Sequence, residues 1–190
     1  MKIGVLALQG DFIEHVHVLR SLGAEAREVR LPAHLEGLNG LIIPGGESTT
    51  IGKLAVAYDL IAPIRGFARK HAIWGTCAGA IFLSKETQRD QPLLNLMDIH
   101  VERNAFGRQV DSFEIDLDAP FLPEGEERPY HAVFIRAPII KSVFGEADPL
   151  LLLPDGRIVA ARQDNLLATS FHPELTADSR FHQYFMELAT

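Results

Sequence analysis

A doubly wound α/β fold, a mostly parallel sheet with added antiparallel strands, is the expectation set by three features of the chain. Short, continuously apolar runs end in glycine-containing turns, as strands buried on both faces do. Segments of helical periodicity lie between them as far as Leu83, and strands alternating with helices imply right-handed crossovers and helices on both faces of a parallel sheet. After about Glu86 strand-like runs follow one another without long helices between them, which is the pattern of antiparallel additions.

Ile3 to Leu8 forms the first buried strand and Gln9-Gly10 its turn. Asp11 is placed to cap the following helix, with Glu14 as the partner of a capping-box relative. Ile13, Val16, Leu19 and Leu22 make its apolar stripe, and Gly23 stops it. His15 and His17 stand two apart on this helix and point in different directions, so they read as surface residues and not as a metal pair. A short strand near Ala26 to Val29 leads to Gly40–Pro44, a buried strand that ends at Gly45-Gly46. Ser48, Thr49 and Thr50 are cap candidates for a helix carrying Ile51, Leu54 and Tyr58. A further helix entered at Pro63 precedes the apolar run Ala72-Ile73-Trp74, and this strand enters Gly75-Thr76-Cys77-Ala78-Gly79. Later strands are expected around 98–102, 112–117, 131–135, 150–153 and 157–161, the last two joined by a Pro154-Asp155-Gly156 turn. Residues 87–94 and 120–129 read as loops. Leu166 to Phe171 returns to strand character, and Asp178 or Ser179 opens a terminal helix with Phe181, Phe185 and Leu188.

Composition narrows the function classes. A chain of 190 residues fits one domain, 1–190, that buries about 70% of its unfolded surface. Its single cysteine can form no internal disulfide and suits a reducing, cytoplasmic setting. The first apolar run breaks at Gln9-Gly10-Asp11, too early for a signal peptide, and no run approaches the ~20 apolar residues that span a bilayer. A net charge of −7 with scattered lysines and arginines argues against a nucleic-acid surface. A small ligand or a protein partner is the expectation.

Chemistry concentrates at Cys77. An apolar strand running through Gly-x-Cys-x-Gly into an apolar helix is the sequence form of a nucleophile elbow, although a lone cysteine can equally be a packed thiol. A helix N-terminus favours the thiolate, and the backbone N–H of Ala78 can face an oxyanion. Ser170-Phe171-His172-Pro173-Glu174 supplies a base and an orienting carboxylate, since residues two apart in an extended segment project to the same side. Gly45-Gly46-Glu47 offers exposed N–H groups at a strand end, with Gly46 a second oxyanion donor, yet the stretch lacks the Gly-Lys-Ser/Thr of a P-loop. In a parallel sheet ligands bind beyond the carboxyl ends of the strands, so Gln9-Gly10, Gly45-Gly46-Glu47 and Cys77 converge.

The chain resembles the class I, triad-type glutamine amidotransferases, and among them the glutaminase subunits of pyridoxal 5′-phosphate synthases. The similarity is carried by Leu8-Gln9-Gly10, Pro44 to Thr50, Gly75 to Gly79, Val101 to Gln109, Phe134 to Pro138 and Ser170 to Leu175. It implies a flavodoxin-like, class I glutamine amidotransferase fold and one glutaminase domain over 1–190. It also implies hydrolysis of L-glutamine to glutamate and ammonia through a glutamyl-thioester on Cys77, with His172 and Glu174 completing the triad. Gly46, Glu47, Ser48, Arg103, Ile135 and Arg136 are then expected to line the glutamine pocket, with Glu47 receiving the α-ammonium and an arginine the carboxylate. No cofactor or metal is expected. The implied partner is a barrel-shaped synthase subunit in a hetero-oligomer, which receives the ammonia, and Gln9-Gly10 is a candidate for part of that interface. A stand-alone cysteine hydrolase and a redox-sensing module are the alternatives the residues leave open.

Overall fold

The computed structural model describes residues 1–103 and 112–190. Asn104 to Gln109, part of one stretch that carries the resemblance, lie outside the described residues. The parallel centre of the main sheet is made by β1 (Lys2–Leu6), β2 (Glu25–Val29), β3 (Gly40–Ile43), β4 (Ala72–Thr76) and β12 (Leu166–Thr169). These run in the order β2-β1-β3-β4-β12, every adjacent pair parallel. The sheet continues from β12 through β11 (Ile158–Gln163), β9 (Ile139–Val143), β6 (Met97–Glu102) and β5 (Ser84–Thr87). The β12-β11, β11-β9 and β9-β6 pairings are antiparallel. β10 (Asp148–Leu152) pairs with β11 as a hairpin, and β7 (Ser112–Leu117) with β8 (Tyr130–Ile135) as a separate ribbon. This is an α/β fold with a mostly parallel sheet and added antiparallel strands.

The pleat divides the core into two layers. Leu41, Ile43 and Ile73 face α2 (Ser48–Ala57), α3 (Ile61–Ala68) and α4 (Ala78–Leu83), packing with Ile51, Ile64 and Phe82. Ile42, Ala72 and Trp74 point the other way, toward α1 (Phe12–Ser21) and α5 (Arg180–Leu188), where Val16, Leu19, Phe181 and Phe185 meet them. Successive residues of one strand thus serve opposite layers, which is why these strands read as continuously apolar. Tyr130, Phe171 and Phe181 are fully buried, with ring centroids 4.7 and 5.0 Å apart at Tyr130–Phe181 and Phe171–Phe181. That aromatic cluster seats the β7–β8 ribbon against the chain leaving β12.

Several local expectations are corrected. Asp11 precedes α1 but its side chain makes no capping bond, and Ile13 is about half exposed. The buried face runs through His15, Val16 and Leu19, so His15 is a core residue, whereas His17 is exposed. Glu47, not a hydroxyl residue, caps α2, its carboxylate accepting from the N–H groups of Thr49 and Thr50 at 3.2 and 2.7 Å. Tyr58 lies beyond the last turn of α2 and is exposed. β5 and β9 fall where no strand was expected, and β5 pairs with β6 in parallel. The Pro154-Asp155-Gly156 turn does join β10 to β11, with Gly156 at φ +85° and Leu153 N–H donating to Arg157 O at 2.8 Å.

β1 lies between β2 and β3, so the chain reverses its direction of travel across the sheet at that point. The turns after β1, β3, β4 and β12 all open on the edge beside this switch, and they carry Gln9, Gly46, Cys77 and His172.

Candidate active site

Cys77 sits between the end of β4 and the first turn of α4 with φ +48° and ψ −107°. A non-glycine residue there is strained by about 1–3 kcal/mol and is held by its surroundings. Its N–H donates to Thr169 O of β12 at 2.8 Å. The flanking glycines are required by contact: a Cβ on Gly75 would lie 2.5 Å from Gly79 O, and one on Gly79 would lie 2.0 Å from Ile43 O. β3, β4 and α4 therefore approach too closely for any side chain, and the elbow is clamped from both sides. Cys77 is 7% exposed, on the floor of a cleft of about 590 Å³. Ala78 N–H, at the first position of α4, has no acceptor within the helix.

His172 follows β12, with its N–H donating to Val133 O of β8 at 2.8 Å. Its Nδ1 lies 2.7 Å from Glu174 Oε1 and 3.8 Å from Asp11 Oδ2, and the ring interacts with the Cys77 side chain at the cleft. Pro173–Leu175 is a 3-10 turn, so Glu174 reaches back by chain curvature and not by the extended alternation the sequence suggests. A Cβ on Gly45 would approach His172 Cε1 to 2.6 Å, so the glycine makes room for the ring. Burial opposes a charge on His172, but its contacts with Cys77 and Glu174 outweigh burial and raise it to about 10. Burial also pushes the Glu174 carboxyl above its ordinary value, against the lowering influence of His172.

The glycine-rich turn after β3 forms the opposite wall. Gly46 has φ +149°, and a Cβ there would lie 2.5 Å from Gln9 Oε1. Gln9 Oε1 accepts the Glu47 N–H at 2.7 Å, so this side chain holds the segment in place. Gly10, at φ +97°, brings that loop so close that a Cβ would fall 1.8 Å from Gly45 O. Arg103 Nη2 donates to Glu47 Oε1 at 2.6 Å, and Arg103 Nη1 to Thr49 Oγ1 at 3.3 Å. Burial works to raise the Glu47 carboxyl, but Arg103, Thr50 and Thr49 outweigh it and bring it down to about 2. Glu47 is thus an anion across the whole physiological range.

Of the residues singled out in sequence, Cys77, His172, Gly46, Glu47, Ala78, Arg103, Ile135 and Arg136 all line the one cleft. Glu174 lies behind His172. Ser48 does not line the cleft; it is fully buried, with its hydroxyl 3.3 Å from Gln91 Oε1. Asp11, Ile81, Pro138 and Leu175 line the cleft without having been anticipated. Asp11, His172 and Glu174 bring ligand-type atoms within 4.8 Å of one another. A cation there would compete with the His172–Glu174 contact, so the donor set is better matched to orienting the imidazole.

The arrangement is suited to acyl transfer: a sulfur at a helix start beside a base oriented by a carboxylate. The comparisons with known proteins point the same way. The family model for the SNO glutamine amidotransferases matches residues 5–190. The chain is 58% identical to pyridoxal 5′-phosphate synthase subunit PdxT of Herpetosiphon aurantiacus, covering 99% of this chain and 100% of that one. It is 55% identical to the protein of the same name from Moorella thermoacetica, covering 99% of each. A crystal structure of a glutamine amidotransferase superposes with a TM-score of 0.92 at 52% identity, over 98% of each chain. PurLQS from Thermotoga maritima, at 17% identity, shares the fold with a TM-score of 0.70, over 100% of this chain and 98% of that one. The chain therefore belongs to the SNO glutamine amidotransferase family.

Proposed function

We propose that residues 1–190 act as one glutaminase unit that hydrolyses L-glutamine through a Cys77–His172–Glu174 triad and passes the ammonia to a synthase subunit making pyridoxal 5′-phosphate. The observation that carries the catalytic part is Cys77 at a positive φ, sharing one cleft with an imidazole whose Nδ1 is 2.7 Å from Glu174. The sulfur, its proton held by His172, attacks the side-chain amide carbon. The oxygen that becomes negative meets N–H groups of Ala78 and the Gly46 turn. His172 gives its proton to the departing nitrogen, the C–N bond breaks, and ammonia leaves behind a glutamyl-thioester on Cys77. His172 then takes a proton from water, hydroxide attacks the thioester, the C–S bond breaks, and glutamate leaves. Glu174 keeps Nδ1–H of His172 directed and balances the imidazolium throughout.

For substrate recognition, Glu47 receives the α-ammonium, and Arg103 or Arg136 the α-carboxylate, with Ile135 against the aliphatic stem. Support for the partner comes from relatives named as pyridoxal 5′-phosphate synthase subunits over their full length. Free ammonia is lost to solvent and protonation, so delivery to a docked, barrel-shaped synthase in a hetero-oligomer gives the product its use. Gln9 and Gly10 sit at the cleft mouth and hold the glycine turn, so docking against them can reset that turn and switch on the oxyanion donors. No helix among the described residues is long and apolar enough to cross a membrane, and a cytoplasmic site of action accords with the free thiol.

Ammonia release tests the reading directly. The chain alone is expected to turn glutamine over slowly and faster once the synthase subunit is added. Cys77→Ala should abolish release in both cases while leaving complex formation intact. Equal rates with and without the partner would remove the coupling, and surviving activity in Cys77→Ala would remove the triad.

A further inference from the structure

Behind Glu174, on the side away from His172, lie two histidines that the reaction as written does not use. His15 of α1 and His182 of α5 are both fully buried. His15 Nδ1 is 2.9 Å from His182 Nε2, and His15 Nε2 is 3.3 Å from Thr76 Oγ1 and 3.4 Å from Glu174 Oε2. Among the described residues Glu174 Oε2 has no well-aligned hydrogen bond and His182 Nδ1 has no partner. The groups thus form an unbroken line from Cys77 through His172, Glu174 and His15 to His182, crossing from the cleft to the core beneath α5.

We propose that His15 is a positioning residue for the glutaminase reaction: as the Nε2–H tautomer, selected by His182, it presents an N–H to the rear oxygen of Glu174 and keeps that carboxylate ionised and turned toward His172. The proposal rests on reading Cys77, His172 and Glu174 as the triad.

Two proton arrangements satisfy the His15–His182 contact, and burial costs separate them. Both rings are neutral: burial, then the neighbouring His182 and His172, hold His15 well below its ordinary value, and burial brings His182 down to about 3. In one arrangement His15 donates from Nδ1 to His182 Nε2. His182 must then carry its proton on Nδ1, a buried N–H with no acceptor, and His15 turns a bare Nε2 lone pair toward an anionic Glu174. Both features are unfavourable, since a buried donor without an acceptor gives up its hydration for nothing in return. In the other, His182 donates from Nε2 to His15 Nδ1, His15 carries its proton on Nε2, and what is left unpartnered among the described residues is the Nδ1 lone pair of His182. An unpaired acceptor is the lesser cost. The second arrangement follows, and it aims an N–H at Thr76 Oγ1 and Glu174 Oε2.

The need for that N–H comes from the rest of Glu174's surroundings. Burial raises its carboxyl, and Asp11 adds a negative charge nearby, whereas the His172 imidazolium favours ionisation. Cys77 and Tyr130 are the other titratable groups facing this cluster, and Tyr130 stays neutral because burial pushes its phenol far up. His172 is neutral for part of each cycle, after it has protonated the leaving nitrogen, and Glu174 must remain ionised then too. His15 is the donor placed to help at that stage.

The test combines a tautomer measurement with kinetics. In the ¹⁵N-histidine-labelled full chain, long-range ¹H–¹⁵N spectra should show His15 with a pyrrole-like Nε2 and a pyridine-like Nδ1. An Nδ1–H or doubly protonated His15 would overturn the proposal, and this readout needs no substituted protein. In the complex with the synthase, His15→Phe should lower glutaminase kcat on the order of tenfold with the KM for glutamine within about twofold, and move the acid limb of the kcat profile to higher pH. His15→Gln, whose side-chain amide can replace the Nε2–H, should restore most of the rate and return the limb. Wild-type rates and profiles in both variants would overturn it, as would a change confined to KM. Cys77→Ala assayed alongside separates the two levels: activity there removes the triad, whereas a silent Cys77→Ala beside unaffected His15 variants removes only the role of His15.

Discussion

Glu47 shows how one side chain links local structure to the site. Its carboxylate caps α2 through Thr49 and Thr50 and pairs with Arg103, so the group proposed to receive the α-ammonium is already held rigid. Glu47→Ala should cost about 1 kcal/mol of stability through the lost cap and raise KM for glutamine far more than it lowers kcat. Urea unfolding and steady-state kinetics check the two halves. The linkage sign is fixed by the depressed pKa. Stability from Glu47 is fully present above its unfolded value of 4.5 and is lost as pH falls toward about 2. Unfolding midpoints for wild type and Glu47→Ala should therefore converge across that window, and a constant difference down to pH 2 would contradict it.

Among the elements, α4 and its approach from β4 carry the sharpest steric demand. Gly79→Ala puts a Cβ 2.0 Å from Ile43 O, a backbone atom of a buried strand, and should destabilise by about 3 kcal/mol or more. Gly66, inside α3, has nothing within 4 Å of its Cβ position, so Gly66→Ala should instead stabilise by about 0.5–1 kcal/mol. Chemical denaturation of both variants tests the contrast, and equal effects would refute the steric account. The elbow was legible in sequence because only such crowding explains glycine on both sides of a cysteine after an apolar strand. β1, β3, β4 and β12 were legible because burial on two faces leaves polar residues only at their ends, Lys2, Thr76 and Thr169. β5 was not, since Ser84-Lys85-Glu86-Thr87 is an edge strand paired on one side, with two exposed residues. β9 was hidden because it starts directly after Pro138 and only its first two residues are buried. Arg103 and Glu47 were both anticipated as pocket residues, but their pairing joins positions far apart in the chain and no local pattern encodes it. His15 was misplaced because a histidine was assumed to be wet. Counting the stripe from Phe12 through Val16 to Leu19, with Ile13 left outside, would have put it on the inner face.

At the scale of the molecule, four strand ends from both halves of the chain meet at one edge, and helices from opposite ends of the chain, α1 and α5, close the layer beneath it. The His15–His182 contact is where those two helices lock. It also makes a prediction for global stability. Both histidines are neutral when folded and ionise near 6.5 when unfolded, so the unfolded state binds more protons below that pH. Stability should fall as pH drops below 6.5, with His182 contributing about 1.4 kcal/mol per pH unit until about pH 3. His182→Gln should flatten the profile by one proton, and an unchanged slope would contradict neutral burial.

The central claim is that Cys77 forms the covalent intermediate with glutamine. The most direct measurement is mass spectrometry of the protein treated with a glutamine-like electrophile and digested. One adduct on the peptide bearing Cys77, suppressed by excess L-glutamine and absent from Cys77→Ala, is the expected result. A label on any other residue, or labelling of Cys77 indifferent to glutamine, would contradict it.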